Sequence, residues 1–408
     1  MKNKFNFTEK DVDYLLSPAA IRAQAGRIFE LTQTGKTHFQ YHPEKLNETV
    51  EYVLKAIYKN YPELNIPFHS RWGHFRVGGV DRTTWLHERI RSLDRIEQAR
   101  IKLDLAITSV LLDAGSGPGW KYLEDATGKT FARSEGLGVA SFHMFMKGAM
   151  SSTSELRADG EALKNISHHQ LEKYFQVDGN NPLVGVKGRV ALLNNLGKTC
   201  LEQKNIFKDG RPGNIIDYLI EKYGQTIPAT GVLRAVLDGL GPIWPGRINL
   251  GGKNLGDVWQ HSQLADVNSL ESLVPFHKLS QWMSYSLMEP IMEAGITVTG
   301  VETLTGLAEY RNGGLILDMG LITFKDPALM LKPLHPETDI IIEWRALTVY
   351  LLDVIGKMVQ DKLGKTPQDF PLAKVLEGGT WWAGRFIAAE KRAGGGPPLQ
   401  IESDGTVF

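Results

Sequence analysis

The feature that most constrains the fold is the spacing of apolar residues, which recur every three or four positions over most of the chain. The segment after Pro43 shows this spacing at Leu46, Val50, Val53, Leu54 and Ile57. Because an α-helix makes one turn in 3.6 residues, residues spaced in this way form one apolar stripe that packs against a neighbouring element. The repetition of this pattern predicts a mainly α-helical protein.

Local signals set the bounds of several helices. Ser17 before Pro18 predicts a helix start, because serine caps helix N-termini and proline suits the first helical position, and Gly35 predicts the stop. Further helices are predicted at about Thr84–Asp113, Arg189–Gln203, Asn214–Tyr223, Val232–Leu240, Lys278–Glu293 and Ile341–Leu363.

Strand signals are few and short. The best is the run from Leu315 to Thr323, which fits either a strand or a buried extended connector. Strands and helices do not alternate along the chain, so the sequence does not predict a doubly wound sheet. We therefore expect a compact, mainly α multi-helix fold with few short strands over residues 1–408, either as a single domain or as two lobes with the functional site between them.

Composition excludes several classes of partner. Lys plus Arg total 46 and Asp plus Glu total 46, so no net charge attracts the chain to nucleic acid or a membrane surface. No apolar run is long enough to span a membrane, and Met1–Lys4 lacks the apolar stretch of a signal peptide, so we expect a cytoplasmic protein. Cys200 is the single cysteine, which excludes an intrachain disulfide and cysteine-based metal sites.

Known phosphate and metal motifs are incomplete. Gly-Lys-Thr occurs four times, but each copy lacks the glycine five positions earlier that a phosphate loop needs, so these copies are interpreted as helix ends and turns. His69 and His74 are five residues apart and do not share a helix face as zinc ligands would. We predict no metal ion and no cofactor.

Two carboxylates stand out by context. The apolar stripe at Leu347, Leu351 and Ile355 extends backward by four residues to Glu343, which predicts that Glu343 points to the interior as an anchor to an arginine or as a functional acid. Arg345 lies on a different face and should contact another group.

Glu309 opens a second polar cluster, Glu309–Gly314, which directly precedes an apolar run. This arrangement fits a catalytic loop tethered to the core, and it fits an ordinary turn with a solvated charge pair equally well. The aromatic clusters Arg71–Phe75 and Trp381–Trp382 would either stack a ligand or fill a core.

Eight stretches resemble the uracil-catabolism protein four family of fungi and bacteria. They are Pro67–Trp72, Arg133–Leu137, Gly241–Pro245, Val274–Trp282, Glu309–Gly314, Glu343–Thr348, Glu377–Trp381 and Ser403–Phe408. The resemblance implies a place in a pathway that ribosylates uracil, opens its ring and finally releases urea.

A more distant likeness concerns queuosine-salvage proteins, which are N-ribosyl hydrolases with a fold like that of helical DNA glycosylases. Ala308–Arg311 is similar to the Ala-Asp-Tyr-Arg element of that family, whose aspartate is catalytic, so the resemblance implies a catalytic Glu309. Ile342–Arg345 resembles its Glu-Ile-Arg element, and Phe276–Lys278 resembles its basic, substrate-facing helix start. Two departures are Ser286 in place of an aspartate and the extra methylene of Glu309.

These resemblances imply an N-glycosidase that hydrolyses ribosylurea, or its 5′-phosphate, to urea and the sugar. A carboxylate stabilises the positive charge that develops at the anomeric carbon, and a second group must protonate the departing urea. Glu309 is the candidate for the first role, and Glu343, Asp318 and His277 are candidates for the second. The candidate substrate-binding residues are Tyr310, Arg311, Asn312, His277, Lys278, Trp282, Arg345, Arg71, Trp72 and His74.

Two alternatives stay open. The chain would act on another pathway intermediate as a nucleosidase or amidohydrolase, or it would bind an unstable intermediate without turnover. In each case the partner is a small molecule, and the sequence carries no signal for an oligomeric state.

Overall fold

Helices form most of the described chain, which comprises residues 5–244 and 247–402 of a computed structural model. The α-helices, in chain order, are α1 (Glu9–Leu15), α2 (Pro18–Gln33), α3 (Leu46–Asn60), α4 (Arg71–Phe75), α5 (Arg82–Ile90), α6 (Arg95–Leu111), α7 (Arg133–Met146), α8 (Gly160–Leu163), α9 (His168–Phe175), α10 (Val186–Glu202), α11 (Ile215–Tyr223), α12 (Ala229–Leu240), α13 (Lys278–Glu293), α14 (Tyr310–Asp318), α15 (Asp339–Leu363), α16 (Leu372–Val375) and α17 (Trp381–Lys391). The prediction of a mainly α fold with few short strands is confirmed. Met1–Lys4, Pro245 and the terminal stretch Ser403–Phe408 lie outside the described residues.

The strands in the described chain pair two by two. They are β1 (Phe39–Tyr41), β2 (Lys121–Glu124), β3 (Lys129–Ala132), β4 (Thr226–Pro228), β5 (Asn249–Leu250), β6 (Lys253–Asn254), β7 (Val258–Gln260), β8 (Leu273–Pro275), β9 (Thr297–Thr299) and β10 (Ile322–Phe324). Antiparallel pairs join β1 to β10, β2 to β3, β5 to β6 and β7 to β8, whereas β4 and β9 pair in parallel. Such short pairs do not build a sheet core, so helix side chains form most of the interior, and buried strand residues such as Val258 and Val274 add to it.

The described chain divides into two compact units. Unit 1 holds residues 5–69, 247–281 and 300–402, and unit 2 holds residues 70–244 and 282–299. In unit 1, α15 packs against α2, α3 and α14, and α14 packs against α17. In unit 2, α7 packs against α4, α6 and α9, and α10 packs against α8. One catalytic domain over residues 1–408 stays a prediction.

The start of the chain follows the sequence signals. Ser17 Oγ accepts a hydrogen bond of 3.3 Å from Ala20 N at the start of α2, and Gly35 follows the end of that helix with φ +72°. On α3, the predicted stripe is buried from Val50 onward, whereas Leu46 is half-buried. The spacing of apolar residues predicts a helix correctly where the helix buries one continuous apolar face.

Two predictions are wrong in detail. The single helix expected over Thr84–Asp113 is broken into α5 and α6, because the Asp94 carboxylate caps a new helix through the N–H groups of Ile96 and Glu97. Leu93 lies in the connection and is exposed. Among the Gly-Lys-Thr copies, Gly197 lies inside α10 rather than at a helix end or turn.

The run Leu315–Thr323 is also corrected. Its first part belongs to α14, and the strand β10 begins only at Ile322, after a turn at Gly320 with φ +71°. A short apolar run has no periodicity that distinguishes a helix from a strand, and the N-cap of α14 at Glu309 lies before this run.

Close helix packing surrounds α14. A Cβ added at Gly313 would lie 2.6 Å from the indole of Trp344, which also donates from Nε1 to Gly313 O at 3.1 Å. A Cβ at Gly384 on α17 would overlap the backbone carbonyl oxygen of Arg311. Glycine at these two positions therefore lets α15 and α17 approach the first turns of α14.

We predict that Gly384→Ala lowers the free energy of unfolding by about 1–3 kcal/mol, because the new methyl group forces α17 away from α14. Gly26→Ala is the matched control, since no atom lies within 4 Å of its added Cβ on α2. It should raise stability by about 0.5–1 kcal/mol through helix propensity. Denaturant unfolding measures both, and equal effects of the two substitutions would contradict the packing argument.

A buried ion pair in unit 2 joins α5 to the β2–β3 hairpin. Arg82 Nε and Nη2 each donate to the Glu124 carboxylate at 2.6 Å, and both side chains are fully buried. His143 Nε2 also contacts Glu124 at 2.6 Å. Burial by itself would raise the pKa of Glu124, but the hydrogen bonds from Arg82, His143 and Thr127 outweigh it and lower the pKa to about 2.

Because the pKa of Glu124 is lower in the folded chain than in the unfolded chain, this group stabilises the fold above its unfolded pKa of 4.5. We expect that stabilisation, about 3 kcal/mol, to disappear as the pH falls from about 5 toward 2. Denaturant unfolding of the wild type and of Glu124→Gln over this range measures it. A stability difference between the two proteins that does not change with pH would contradict the expectation.

Candidate active site

Glu309 is the N-cap residue of α14. Its Oε2 accepts from Arg311 N at 2.7 Å, and its Oε1 accepts from Asn312 N at 2.6 Å. Its backbone is extended, with φ −118° and ψ 166°. Serine, threonine, aspartate and asparagine are the usual N-caps, so a glutamate here places a carboxylate at the positive end of the helix with one methylene more than aspartate has. The Arg311 side chain does not form the predicted solvated pair with Glu309, but donates to Gly395 O at 2.9 Å.

The environment of Glu309 makes its carboxylate easier to protonate than an ordinary glutamate. Burial among protein atoms raises its pKa, and the N–H groups of Arg311 and Asn312 and the charges of Lys278 and His69 only partly oppose this rise. The residue nevertheless keeps partial contact with solvent. A carboxylate with a raised pKa that solvent can reach is suited to proton transfer or charge stabilisation.

Among the predicted binding residues, Arg311 Nε, Asn312 Oδ1 and His277 Nδ1 are buried polar atoms that the described residues do not pair. These side chains are at most 6% exposed. A buried polar atom left unpaired costs about 1–3 kcal/mol, so native proteins retain few of them and each one calls for an explanation such as a ligand. Arg311 and Asn312 directly follow Glu309, which places two of these atoms on the first turn of α14.

Asp257 organises the start of α13. Its carboxylate binds Arg345 through two hydrogen bonds of 2.8 Å, and its Oδ2 also accepts from Lys278 N at 3.0 Å. Its backbone carbonyl accepts from Phe276 N at 2.9 Å. Although burial alone would raise it, the pKa of Asp257 lies well below its usual value, because Arg345 and the hydrogen bonds from Trp259 and Lys278 N to the carboxylate favour the charged form. Asp257 therefore joins β7, the first turn of α13 and α15 of unit 1.

Arg345 and His277 are held by this arrangement. The guanidinium of Arg345 lies 4.0 Å from the ring centroid of Phe276, and its Nε is 3.5 Å from Ala308 O, the residue before Glu309. His277 adopts a left-handed backbone with φ +47°, and its Nε2 donates to Leu15 O at 2.8 Å. Burial lowers the pKa of His277, which favours the neutral ring and makes it a poor proton donor.

Glu343 is fully buried, as the apolar stripe of α15 predicted. Its partners are histidines rather than an arginine. Glu343 Oε2 accepts from His38 N at 2.8 Å and lies 3.0 Å from His38 Nδ1, and its Oε1 lies 3.2 Å from His261 Nε2. Because His261 Nδ1 accepts from Gln263 N, its Nε2 carries the proton donated to Glu343. Glu343 thus anchors two distant segments, and these contacts do not connect it with Glu309.

Asp318 is separated from Glu309 by the whole of α14. At a rise of 1.5 Å per residue, the two ends of this helix lie on the order of 13 Å apart. The Asp318 carboxylate forms two hydrogen bonds with Arg392, of 2.7 and 2.5 Å. This pairing removes Asp318 from the candidates for an acid that acts beside Glu309.

Lys278 and Tyr310 belong to unit 1 with Glu309, whereas four other predicted binding residues, Arg71, Trp72, His74 and Trp282, belong to unit 2. Arg71 donates from Nε to Ser109 Oγ at 2.6 Å and from Nη1 to Asp113 at 2.7 Å, and its backbone N donates to Ser286 Oγ at 2.9 Å. Trp72 Nε1 donates to Ser286 O at 2.7 Å. The rings of His74 and Trp282 meet edge to face with centroids 5.7 Å apart. Ser286 therefore fixes the first residues of α4, and a substrate-binding role for this cluster stays a prediction.

His69 and Glu377 form a contact that sequence reasoning did not assign. His69 Nδ1 lies 2.7 Å from Glu377 Oε2, and Tyr61 donates from its hydroxyl to Glu377 Oε1 at 3.2 Å. Glu377 lies in a π-helical turn, Leu376–Thr380, between α16 and α17. Both residues lie in stretches that carry the family resemblance, and this was the only sign in the sequence that they matter. Their contact could not be predicted, because they are far apart along the chain.

The described residues contain neither a candidate membrane span nor a candidate metal cluster. No helix there is both long and apolar enough to cross a membrane. No three His, Cys, Asp or Glu side chains in that part of the chain are placed to hold a metal ion together.

We predict that Asp257→Asn lowers the free energy of unfolding by about 3–5 kcal/mol, because it leaves the buried guanidinium of Arg345 without its charged partner. Asp353→Asn is the matched control. It weakens the pair with Arg22, whose side chains are each about one third exposed, and should cost less than about 1 kcal/mol. Denaturant unfolding at low and moderate salt compares the two variants. A cost for Asp257→Asn no larger than that of the control would contradict the scaffold role.

Fold and site together define a mainly helical protein with a partly accessible carboxylate at the N-terminus of α14. The chain belongs to the family described as "Protein of unknown function (DUF1688)", whose model matches residues 14–408. It is 36% identical to "Uracil catabolism protein 4" of Lachancea kluyveri, over 98% of this chain and 99% of the relative. It is also 36% identical to "Protein urg3" of Schizosaccharomyces pombe (strain 972 / ATCC 24843), over 97% of this chain and 98% of the relative.

Proposed function

We propose that this protein acts in uracil catabolism as an N-ribosyl hydrolase that cleaves ribosylurea, or its 5′-phosphate, to urea and the sugar. The name of the Lachancea kluyveri relative supports the pathway. The observation that carries the reaction is the Glu309 carboxylate, which is held by two backbone N–H groups at the start of α14 and has a raised pKa beside Lys278 and His69.

The reaction consumes one water molecule. The bond between the anomeric carbon and the urea nitrogen breaks, its electron pair goes to the nitrogen, and water adds to the carbon, which yields the free sugar and urea. Positive charge builds up on the sugar ring in the transition state, and the Glu309 carboxylate stabilises it and takes a proton from the water. The two backbone hydrogen bonds fix the direction of this carboxylate before the substrate arrives.

Other residues have defined parts in the proposal. Lys278 supplies a positive charge near Glu309 for a sugar hydroxyl or a 5′-phosphate oxygen. Arg311 Nε and Asn312 Oδ1 are a donor and an acceptor for polar substrate groups. Arg345 acts indirectly, since its guanidinium holds Asp257 and thereby the first turn of α13.

The test must separate chemistry at Glu309 from its capping role. Glu309→Ser places a preferred N-cap residue at the start of α14 but removes the carboxylate. We therefore expect a folded protein whose release of urea from ribosylurea falls on the order of 10³-fold. Glu309→Asp keeps a carboxylate and should retain more activity than Glu309→Ser. Glu51→Gln, at an exposed ion pair with Lys362, is the control and should match the wild type.

Each outcome has a clear meaning. Urea release is measured separately with ribosylurea and with its 5′-phosphate, and the faster reaction identifies which form is the substrate. Failure of the wild type to release urea from either one rules out the hydrolase. Release of ammonia or carbamate in place of urea indicates an amidohydrolase, and tight binding of ribosylurea without turnover indicates a binding protein. Full activity of Glu309→Ser would reduce Glu309 to a helix cap.

A further inference from the structure

The proposed reaction needs a proton donor for urea, and three earlier candidates are unsuitable. Asp318 is paired with Arg392 at the far end of α14. Glu343 is fully buried and is held by His38 and His261, and these contacts do not connect it with Glu309. His277 is buried, donates to a backbone carbonyl and has a lowered pKa.

His69 is held in one orientation. Its backbone N donates to Ala373 O at 3.0 Å, and its Nδ1 lies 2.7 Å from Glu377 Oε2. Glu377 also accepts from the Tyr61 hydroxyl, and a carboxylate that accepts from two groups requires the proton of the His69 ring to be on Nδ1. With Nδ1–H directed at Glu377, Nε2 is the ring nitrogen whose proton His69 would transfer. The carboxylate fixes the ring, as it does in other histidine–carboxylate pairs.

The π-helical turn that carries Glu377 is itself anchored. A Cβ at Gly378 would lie 2.5 Å from the Ile66 side chain, and a Cβ at Gly379 would lie 2.7 Å from Val53 on α3. The glycine pair lets the turn lie directly against the chain segment that leads to His69. Such turns are rare in proteins and occur often at functional sites.

Packing leads from this turn to Glu309. The turn contacts α14, and Trp381, the first residue of α17, has its ring 5.9 Å from the His69 ring. One helical turn later, Gly384 meets the carbonyl of Arg311 in the first turn of α14. The electrostatic interaction of His69 with Glu309 agrees with this placement. The titratable groups around His69 include Tyr61, Glu377, Glu309 and Lys278, and the guanidinium of Arg385 lies over the Trp381 ring.

We propose that His69, oriented by Glu377, donates the proton that lets urea leave. This inference rests on the proposed function. His69 Nε2–H gives its proton to the departing urea as the bond to the anomeric carbon breaks, while Glu309 takes a proton from the attacking water. Solvent then returns one proton from Glu309 to His69, so the sum is ribosylurea plus water giving sugar plus urea. Glu377 is a positioning residue that acts through the His69 ring.

The experiment compares two leaving groups. 4-Nitrophenyl β-D-ribofuranoside releases nitrophenolate, which departs without a proton, whereas urea needs one. His69→Asn keeps an N–H donor near the position of Nδ1 and removes Nε2. We expect kcat for ribosylurea to fall on the order of 10²–10⁴-fold in this variant, and kcat for the nitrophenyl riboside to change less than about tenfold. Glu309→Ser should lose activity toward both substrates.

The second variant, Glu377→Gln, retains His69 and changes only the residue that orients its ring. It should lower kcat for ribosylurea less than His69→Asn does and leave the nitrophenyl riboside nearly unaffected. Circular dichroism and thermal unfolding check that each variant folds. Equal loss with both substrates, or no loss with ribosylurea, in His69→Asn and Glu377→Gln would overturn the role of His69. A wild type that hydrolyses neither substrate would instead overturn the hydrolase itself.

Discussion

The carboxylate of Glu309 at the N-terminus of α14 is the interaction on which the candidate site depends. Its two oxygens accept from the N–H groups of Arg311 and Asn312, so the same group starts the helix and faces the proposed chemistry. A helix N-terminus stabilises negative charge, whereas burial opposes it. The opposing effects leave a carboxylate with a raised pKa in a fixed direction, which a free side chain on a loop would not provide.

Much of the fold could be predicted from the sequence, because helices bury continuous stripes. The bounds of α13 were predicted to the residue, and those of α2 and α15 to within two residues. The failures have local causes. Asp94 starts a new helix inside a periodic segment, and glutamate is not among the preferred N-cap residues, so the start of α14 at Glu309 gave no signal.

The candidate site was predictable only where one stretch of chain carried the information. Burial of Glu343 followed from its stripe, but its partners did not, because His38 is 305 residues away and His261 is 82 residues away. Asp257 gave no signal for the same reason, since it meets Arg345 88 residues later. A single sequence records which residues face inward, but not which distant residue each one meets.

The contacts of Asp257 also bear on how the chain reaches its working form. This carboxylate joins β7 to the first turn of α13 and to Arg345, so its interactions span nearly ninety positions. On the ribosome, Arg345 is made after Glu309 and Lys278, and the scaffold stays incomplete until α15 emerges. The scaffold would therefore be completed late in synthesis, and a chain truncated before α15 would contain Glu309 and Lys278 without the Asp257–Arg345 pair that holds the first turn of α13.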